Sequence, residues 1–410
     1  MRIDILHQFF LKDNQAGGSR FNQFTKYWSE NHTINVFAGM VDYATGKKFE
    51  EYKGKLFVSE MNNDGVLVNR VHVSSSYNKS FIGRLWAYFS FTVFSTIKML
   101  FTKSGDVIVV TSPPLTVALT ALVLKSIKRK PLVFEIRDLW PESAIDTGVL
   151  NNKFLISFSY WLEREIYKKA DLINVLTPAF KEVLITKKGV PEHKIIYIPN
   201  GADNDIMLPG PKMNRIRAKY HLDNKFVILY TGAHGVANKL EQLVYAANEL
   251  KSNEEIIFMF VGNGMEKEKL IFLTKSMALE NIIFVDSVSK LEIVDYINAS
   301  DLCTAVLQKN DTFKTVYPNK VFDYMSCKKP ILVAIDGIAR KLVVEDSRSG
   351  IFVEPENIQA ISQTILELKN NPQKLAMMGE NGCEYVVENF SRENLSRNYI
   401  EHLEQLLFMQ

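Results

Sequence analysis

The chain has few residues of the kinds that bind metals or form disulfides. Its 410 residues include only three cysteines and seven histidines, and neither type is spaced like a metal-ligand motif or a disulfide framework. The formal net charge of +3 is too small to indicate binding to nucleic acid. We therefore expect a metal-free protein of a reducing, cytoplasmic compartment, with no nucleic acid among its partners.

Long apolar runs are also missing, because no segment reaches the roughly 20 apolar residues that span a bilayer. The first residues, Met1-Arg2-Ile3-Asp4, are too polar for a signal peptide and predict a first strand instead. The hydrophobic content of 47% is sufficient for two cores. The length of the chain predicts two domains.

Strand-like runs alternate with helix-length segments from end to end, which predicts α/β domains with parallel sheets. In the first half these runs are Ile3–Leu6, Ile34–Ala38, Val66–Val73, Val107–Val110, Leu132–Ile136, Leu172–Leu176 and Ile195–Ile198. In the second half they are Phe226–Tyr230, Ile256–Val261, Ile282–Val285, Leu302–Val306, Ile331–Ala334 and Gly350–Val353. The segment 199–211 is rich in turn residues, so we place the boundary near residue 205. This gives domains 1–204 and 205–390, followed by a helical segment over 391–410.

Two segments of the first half bear on membranes. Leu85–Ile97 is uncharged and rich in aromatic residues, and Thr116–Leu124 is apolar. A basic run follows the second segment and comprises Lys125, Lys128, Arg129 and Lys130. Two interpretations are open: buried helices of a sheet domain, or a monotopic surface with aromatic residues at the headgroups and cations facing anionic lipid.

Residues 317–333 predict a loop, a helix opened by Pro318 and then a buried strand. The amide groups at a helix start carry partial positive charge, which suits a diphosphate. Lys320 in the first turn could add a full charge, and Asp323, one turn on, could accept hydrogen bonds from ribose hydroxyls. The alternative is an ordinary helix–strand unit with a solvated lysine and aspartate.

Ligand-type turns follow several of the predicted strands, where open α/β sheets bind ligands. They comprise Gly17-Gly18, Gly232 with His234 and Lys239, Gly262-Asn263-Gly264, and Ser287-Val288. Glycines allow a ligand to approach the backbone closely, although His234 could instead be a structural hydrogen-bonding residue. The G-x-G-x-x-G spacing is absent from the Gly17-Gly18 turn, which counts against a dinucleotide site there.

A polar motif, Arg137-Asp138-Leu139-Trp140-Pro141, follows the strand Leu132–Ile136. Asp138 could orient or deprotonate a hydroxyl, and Arg137 could hold an anion. The alternative is a local ion pair that positions Trp140.

Together these motifs resemble the family 4 glycosyltransferases of the GT-B fold, in the branch that builds bacterial O-antigen and capsule. The resemblance runs over nearly the whole chain, and its specific parts are Arg137–Pro141 and Pro318–Lys320. It implies two Rossmann-like, doubly wound domains facing across a cleft, with the acceptor on the first and the donor on the second. The last helix would cross back to the first domain.

The resemblance also implies roles for individual residues. Asp323 matches the second acid of the family's E-x7-E pattern, whereas Thr315 stands where the first glutamate is expected and Ala233 where an arginine is expected. Lys320, with His234 and Lys239, would then supply the charge for the diphosphate. The implied donor-binding set is Gly17, Gly18, Gly232, His234, Lys239, Gly262, Asn263, Ser287, Val288, Asn319, Lys320 and Asp323. Asp138 and Lys320 are the catalytic candidates, and Arg137, Asp138 and Trp140 form the acceptor side.

The implied activity is metal-independent transfer of a sugar from a UDP-sugar, with retention at the anomeric carbon. The resemblance favours an N-acetylated deoxy-sugar such as N-acetylfucosamine, and a polyprenyl-diphosphate-linked saccharide as acceptor. The enzyme would then work peripherally at the inner leaflet of the cytoplasmic membrane. Two alternatives are a nucleotide-sugar 2-epimerase of the same fold and a non-catalytic subunit that binds a nucleotide-sugar or polysaccharide.

Overall fold

The structure is a computed structural model that describes residues 1–13, 15, 20–42, 46–76 and 81–409. The chain forms two compact units. The first contains Met1–Pro199 and the C-terminal segment from Glu393, and the second contains Asn200–Arg392. The division lies a few residues before the boundary near residue 205 that the sequence suggested.

The first unit is built on an eight-stranded sheet. Its strands are β1 (Arg2–Leu6), β2 (Thr33–Gly39), β3 (Phe57–Met61), β4 (Leu67–Val71), β5 (Val107–Ser112), β6 (Leu132–Ile136), β7 (Leu172–Val175) and β8 (Ile195–Tyr197). Their order in the sheet is β3-β4-β2-β1-β5-β6-β7-β8. All neighbours are parallel except β3 and β4, which pair antiparallel at the edge.

The second unit has a six-stranded, fully parallel sheet. Its strands are β9 (Phe226–Thr231), β10 (Ile256–Val261), β11 (Ile282–Val285), β12 (Leu302–Val306), β13 (Ile331–Ala334) and β14 (Gly350–Phe352). Their order is β11-β10-β9-β12-β13-β14. The winding reverses between β9 and β12, so the carboxyl ends of these two strands form the topological switch point of the sheet.

Helices connect the strands in both units. They are α1 (Arg20–Ser29), α2 (Phe81–Phe101), α3 (Val117–Lys128), α4 (Glu142–Asp146), α5 (Lys153–Lys169), α6 (Pro178–Thr186), α7 (Arg215–Tyr220), α8 (Glu241–Glu249), α9 (Lys267–Ser276), α10 (Lys290–Ala299), α11 (Asn319–Ser326), α12 (Ile338–Arg340), α13 (Ile358–Lys369), α14 (Pro372–Asn389) and α15 (Arg392–Phe408). A π-helical segment, Lys341–Asp346, continues α12.

One face of the first sheet is covered by α1 and the C-terminal helix α15. The ring of Tyr399 on α15 lies 5.4 Å from the ring of Trp28 and 6.0 Å from that of Phe24, centroid to centroid. The indole nitrogen of Trp28 donates a hydrogen bond to the Ser396 carbonyl oxygen at 3.0 Å. The return of the last helix to the first domain is thereby confirmed.

The other face of the first sheet is covered by α2, α3 and α5, which lie side by side. Their inner residues are buried, as Phe91 of α2 and Leu162 of α5 illustrate. Within the described ranges, no helix is both long enough and apolar enough to cross a membrane.

The sheet of the second unit is buried on both faces. Leu229 and Met259 belong to one hydrophobic core, and Ile228 and Phe258, the alternate residues of the same strands, belong to the other. This double burial explains why these strands are continuous apolar runs in the sequence rather than alternating ones.

Every strand-like run that the sequence predicted is a strand in the structure. The structure adds β3, which the sequence analysis did not predict. Its side chains alternate between exposed and half-buried, so it contributes little to the core and lacks the apolar signal of the buried strands.

Candidate functional site

Two glycine turns meet at the carboxyl ends of β9 and β10. Gly232 has φ +119° and Gly262 has φ +151°, conformations that side chains rarely adopt. A β-carbon on Gly262 would overlap the Gly232 carbonyl oxygen, so the two turns are in direct backbone contact. Backbone hydrogen bonds hold both turns in place. The Gly232 amide donates to the Val261 carbonyl oxygen at 2.9 Å, and the Gly262 amide donates to the Val285 carbonyl oxygen at 3.0 Å.

Lys320 reaches this corner from the first turn of α11. Its Nζ lies 3.5 Å from the centroid of the Tyr230 ring and 3.4 Å from where a β-carbon of Gly232 would stand. Burial lowers the pKa of Lys320 well below its usual value, and no described carboxylate opposes this effect. A desolvated cation at a switch point, next to glycine backbone, is suited to an anionic ligand.

Asp323 lies one turn further along α11 and is half-buried. Burial raises the pKa of its carboxyl, and the nearby charges of Lys290 and Arg392 oppose the rise. These two cations also form ion pairs with the buried Asp203, at 2.7 Å in the case of Arg392. Two carboxyls and two cations thus lie close together beside α11.

The other predicted donor residues differ in their accessibility. Asn263, Ser287 and Asn319 are exposed, and Val288 is half-buried and packs on the core. Lys239 is paired with Glu356 at 2.6 Å, so its charge is already compensated. Gly17 and Gly18 lie outside the described residues.

His234 lies in the interior of the second unit. Its ring is buried among Tyr230, Phe260 and Phe284, with centroids 6.1, 6.5 and 6.4 Å away. Neither ring nitrogen has a hydrogen-bond partner among the described residues, and burial lowers the pKa of the imidazole to about 4. The ring would have to move to touch a ligand, so its predicted donor contact stays a prediction.

In the first unit, the predicted acceptor motif follows β6. The Arg137 amide donates to the Ser112 carbonyl oxygen at 3.0 Å, which holds the start of the loop against β5. Burial raises the pKa of Asp138 to about 6, although the nearby Ser143 side chain and Leu139 amide favour the ionised form. The side chains of Arg137, Asp138 and Trp140 are all half-buried.

His7, which follows β1 in the same unit, is not among the predicted site residues. Its Nδ1 lies 2.6 Å from the Thr111 hydroxyl oxygen. Burial, with a smaller effect from Arg137, lowers its pKa well below the usual value. The position of His7 directly after a predicted strand was the available signal, but a single histidine there is weak evidence.

A charge cluster links α4, which directly follows the acceptor loop, to α5. It was not predicted from the sequence. Lys188 pairs with Glu142 of α4 and, at 2.9 Å, with Glu163 of α5. The Tyr167 hydroxyl donates to Glu163 at 3.1 Å, and burial raises the pKa of that glutamate to about 7. Because these residues are far apart in the sequence, no motif reveals them.

Family models match each unit of the chain. Residues 25–201 match a family described as "Glycosyl transferase 4-like domain", and residues 212–385 match one described as "Glycosyl transferases group 1". The chain belongs to the GT-B glycosyltransferases.

Relatives of this glycosyltransferase include two bacterial proteins that are also described as glycosyltransferases. It is 25% identical to the putative colanic acid biosynthesis glycosyl transferase WcaI of Escherichia coli, over 59% of each chain. It is 24% identical to the probable glycosyltransferase WbjE of Pseudomonas aeruginosa, over 73% of this chain and 72% of that protein. The matched part therefore spans less than two thirds of WcaI.

Solved structures share the fold over the full length of the glycosyltransferase. Sucrose-phosphate synthase from Thermosynechococcus elongatus has a TM-score of 0.76 and 14% identity, and the match covers 100% of both chains. HepE of Anabaena in complex with UDP-glucose has a TM-score of 0.74 and 17% identity, covering 99% of this chain and 100% of that one. The predicted fold, with two Rossmann-like parallel-sheet units, is confirmed.

Proposed function

We propose that this glycosyltransferase moves a sugar from a UDP-sugar to a polyprenyl-diphosphate-linked saccharide, with retention and without a metal ion. The observation that carries the proposal is the amino group of Lys320, which lies against Gly232 with no described carboxylate beside it. A lysine that has lost its hydration needs an anionic partner to hold its proton, and a diphosphate supplies one. Binding the diphosphate would also restore the charged form of the lysine.

In the proposed reaction, negative charge develops next to Lys320 and Gly232. As the bond between the anomeric carbon and the diphosphate oxygen breaks, negative charge builds up on the leaving group. Lys320 and the amides at the start of α11 would stabilise that charge, as preorganised dipoles and cations do in other enzymes. The lysine would thus take the part that a divalent cation takes in metal-dependent transferases.

The remaining donor groups would hold the nucleoside. Asp323 is the candidate acceptor of hydrogen bonds from the ribose hydroxyls, and Lys290 and Arg392 beside it favour its ionised form. The backbone at Ser287 and Val288, beyond the carboxyl end of β11, is the candidate contact for the base. Asn263 and Asn319, both exposed, are further candidate contacts for the donor.

Asp138 is the proposed acceptor-side catalytic residue. With a pKa of about 6 it is mostly ionised at neutral pH, and it can orient the acceptor hydroxyl or take its proton. We infer front-face attack for the retaining step, in which the leaving phosphate helps to remove the acceptor proton. Arg137 and Trp140 would contact the acceptor beside it.

The names of relatives support the substrate classes. WcaI is described as a colanic acid biosynthesis enzyme, and HepE was crystallised with UDP and with UDP-glucose. The HepE complexes support a UDP-sugar donor, and the WcaI name supports the proposed role in O-antigen or capsule biosynthesis. The choice of an N-acetylated deoxy-sugar such as N-acetylfucosamine depends on the resemblance of the sequence alone.

A lipid-linked acceptor would bring the enzyme to the inner leaflet of the cytoplasmic membrane. The outer face of α2 supports peripheral association, since Trp86, Phe89 and Ile97 are exposed while Ala87 and Phe91 are buried. The buried-helix interpretation of this segment therefore describes the inner face of α2, and the membrane-surface interpretation describes its outer face.

The basic run that ends α3 supports the same association only in part. Lys125 pairs with Asp171 at 2.5 Å, which offsets its charge. Lys128, Arg129 and Lys130 continue the run beyond that ion pair, and they are the cations that we assign to anionic headgroups.

A thermal-shift panel of UDP, GDP, TDP and CMP sugars, followed by calorimetry, tests the proposal. UDP-sugars should raise the unfolding midpoint most, since a ligand of the native state stabilises by mass action. Lys320→Ala should weaken UDP binding by about 30-fold or more, the usual effect of removing one partner of a buried charge pair. The matched control is Lys341→Ala, an exposed lysine of the same unit, which should bind UDP like the wild type.

Equal UDP affinity in wild type and Lys320→Ala would refute the assignment of the diphosphate site. Normal UDP binding without UDP release from any donor–acceptor pair would instead favour the non-catalytic subunit. Conversion of the donor sugar to its 2-epimer would favour the epimerase.

A further inference from the structure

Helix α5 carries an exposed aromatic stripe that the proposed chemistry does not use. Phe154, Phe158 and Trp161 follow one another at steps of four and three residues, so they lie on one helix face. Their exposed fractions are 77%, 37% and 43%, and the rings of Phe158 and Trp161 are 5.6 Å apart. Together with Ser157, Tyr160 and Arg164 they line a shallow groove of about 520 Å³.

The stripe is not the core-facing side of α5. Leu162 and Ile166, on an adjacent side of the helix, are buried, so α5 has an exposed apolar face beside a buried one. The helix start is fixed, because the Asn152 side chain accepts hydrogen bonds from the amides of Phe154 and Leu155. The aromatic side chains therefore stand in solvent on a rigid element, an arrangement that indicates an interaction surface.

Parallel stripes occur on the two neighbouring helices. Exposed apolar residues run along α2 and α3 at helical spacing: Ile82, Trp86, Phe89, Val93, Ile97 and Phe101 on α2, and Val123 and Ile127 on α3. Since α2 packs beside α3 and α3 beside α5, the three stripes share the outer layer of one side of the first unit.

The charge of this layer indicates the kind of partner that it binds. Neither α2 nor α3 contains an aspartate or glutamate. The two glutamates of α5 are both engaged, Glu163 with Lys188 and Glu165 with Lys168. Lys153, Arg164 and Lys169 are exposed on the same helix. An apolar, aromatic layer with a basic rim is complementary to an anionic lipid surface.

We propose that α5 docks on an anionic lipid bilayer together with α2, with Phe154 and Phe158 in the acyl–headgroup boundary and Trp161 at headgroup level. This inference rests on the membrane association proposed above and adds a second helix to it. Tryptophan prefers the interface because its ring is apolar and its N–H is polar. Because α5 also carries Glu163, which Lys188 links to α4, docking would hold the acceptor loop close to the lipid surface.

Fluorescence quenching by lipids with brominated acyl chains tests the docking of each helix separately. The chain has four tryptophans, of which Trp28 is buried while Trp86 and Trp161 are exposed. In Trp86→Phe the exposed reporter is Trp161, and in Trp161→Phe it is Trp86. With phosphatidylglycerol-containing vesicles in low salt, we expect a blue shift and quenching in both variants, and much weaker effects with phosphatidylcholine alone.

Vesicle sedimentation gives the second measurement. Phe154→Ser combined with Trp161→Ser should lower the partition coefficient by about tenfold or more, because two large apolar side chains leave the interface. Phe272→Ser is the matched control, since Phe272 is 73% exposed on α9 of the second unit, and it should bind vesicles like the wild type. A normal UDP-induced thermal shift in every variant would show that the fold is intact.

The outcomes separate the two proposals. Quenching of Trp86 without quenching of Trp161 would overturn docking by α5 and leave membrane association through α2. Absence of wild-type protein from all vesicle pellets would overturn both. Unchanged vesicle partition, with the double substitution converting a dimer to a monomer, would show that the stripe is a contact between copies and would also overturn the proposal.

Discussion

The two units share one architecture but hold opposite kinds of charge at their candidate sites. In the second unit, glycine turns and one desolvated lysine, Lys320, lie at the switch point. In the first unit, the loop after β6 carries Asp138, whose pKa burial raises to about 6. A desolvated cation suits a diphosphate, whereas a carboxyl of raised pKa suits a neutral hydroxyl that must lose a proton. The same fold can therefore present a donor site or an acceptor site, depending on a few loop residues.

Among the substitutions that test this comparison, Asp138→Asn should have the largest effect on activity. Transfer should fall by about 10²- to 10⁴-fold, the usual contribution of a side chain that assists proton transfer, while UDP affinity stays unchanged because the residue belongs to the first unit. Release of UDP is measured with the donor that the nucleotide panel identifies, and UDP affinity by calorimetry. Normal turnover in this variant would remove Asp138 from the mechanism.

The backbone where Gly232 meets Gly262 should tolerate an added side chain less well than a loop of the first unit. Gly262→Ala should lower the free energy of unfolding by about 3 kcal/mol or more, since the β-carbon overlaps the Gly232 carbonyl oxygen. Gly148→Ala is the matched control, because Gly148 has φ +72° and open space around it. This substitution should lower the free energy of unfolding by only about 1–2 kcal/mol, the cost of a left-handed backbone conformation in a residue other than glycine. Urea denaturation measures both, and equal losses would show that the close approach is unimportant.

The pH dependence of stability should differ in sign between Asp138 of the first unit and Asp286 of the second. The folded-state pKa of Asp138, about 6, lies above its ordinary value of 3.8, so its stabilising effect is complete below about pH 4 and is lost as the pH rises through 6. Between these values, wild type should lose about 2–3 kcal/mol of unfolding free energy relative to Asp138→Asn.

Asp286 of the second unit provides the opposite case. A hydrogen bond from Lys267 lowers its pKa, so its contribution is present above pH 3.8 and is lost as the pH falls. Denaturation curves of Asp286→Asn at the same pH values should therefore converge with those of the wild type in acid. A loss for Asp138 that grows toward acid would contradict the assigned burial.

The sequence was sufficient for most of the fold because the buried strands are continuous apolar runs bounded by turn residues. It was not sufficient for β3, whose residues Phe57 to Met61 are partly exposed and are fixed by pairing with β4. The stripe on α5 was missed for a different reason. The uncharged run from Phe154 to Leu162 contains residues of both the exposed stripe and the buried side, so only the packing reveals which side faces solvent.

The candidate site was predictable where its residues are neighbours in the sequence. Lys320 and Asp323 lie on one helix turn, and their spacing alone suggested joint action. The contact between Gly232 and Gly262, the burial of His234 and the linkage of Glu142 to Glu163 through Lys188 all depend on tertiary packing. Spacing along the chain does not encode such contacts, so these features were found only in the structure.

The central claim is that the second unit binds a nucleotide diphosphate through Lys320 and backbone amides without a divalent cation. Calorimetric titration of the wild type with UDP, first in EDTA and then with added manganese, tests it most directly. The account predicts the same dissociation constant in both conditions. Binding that is lost in EDTA and restored by manganese would contradict it.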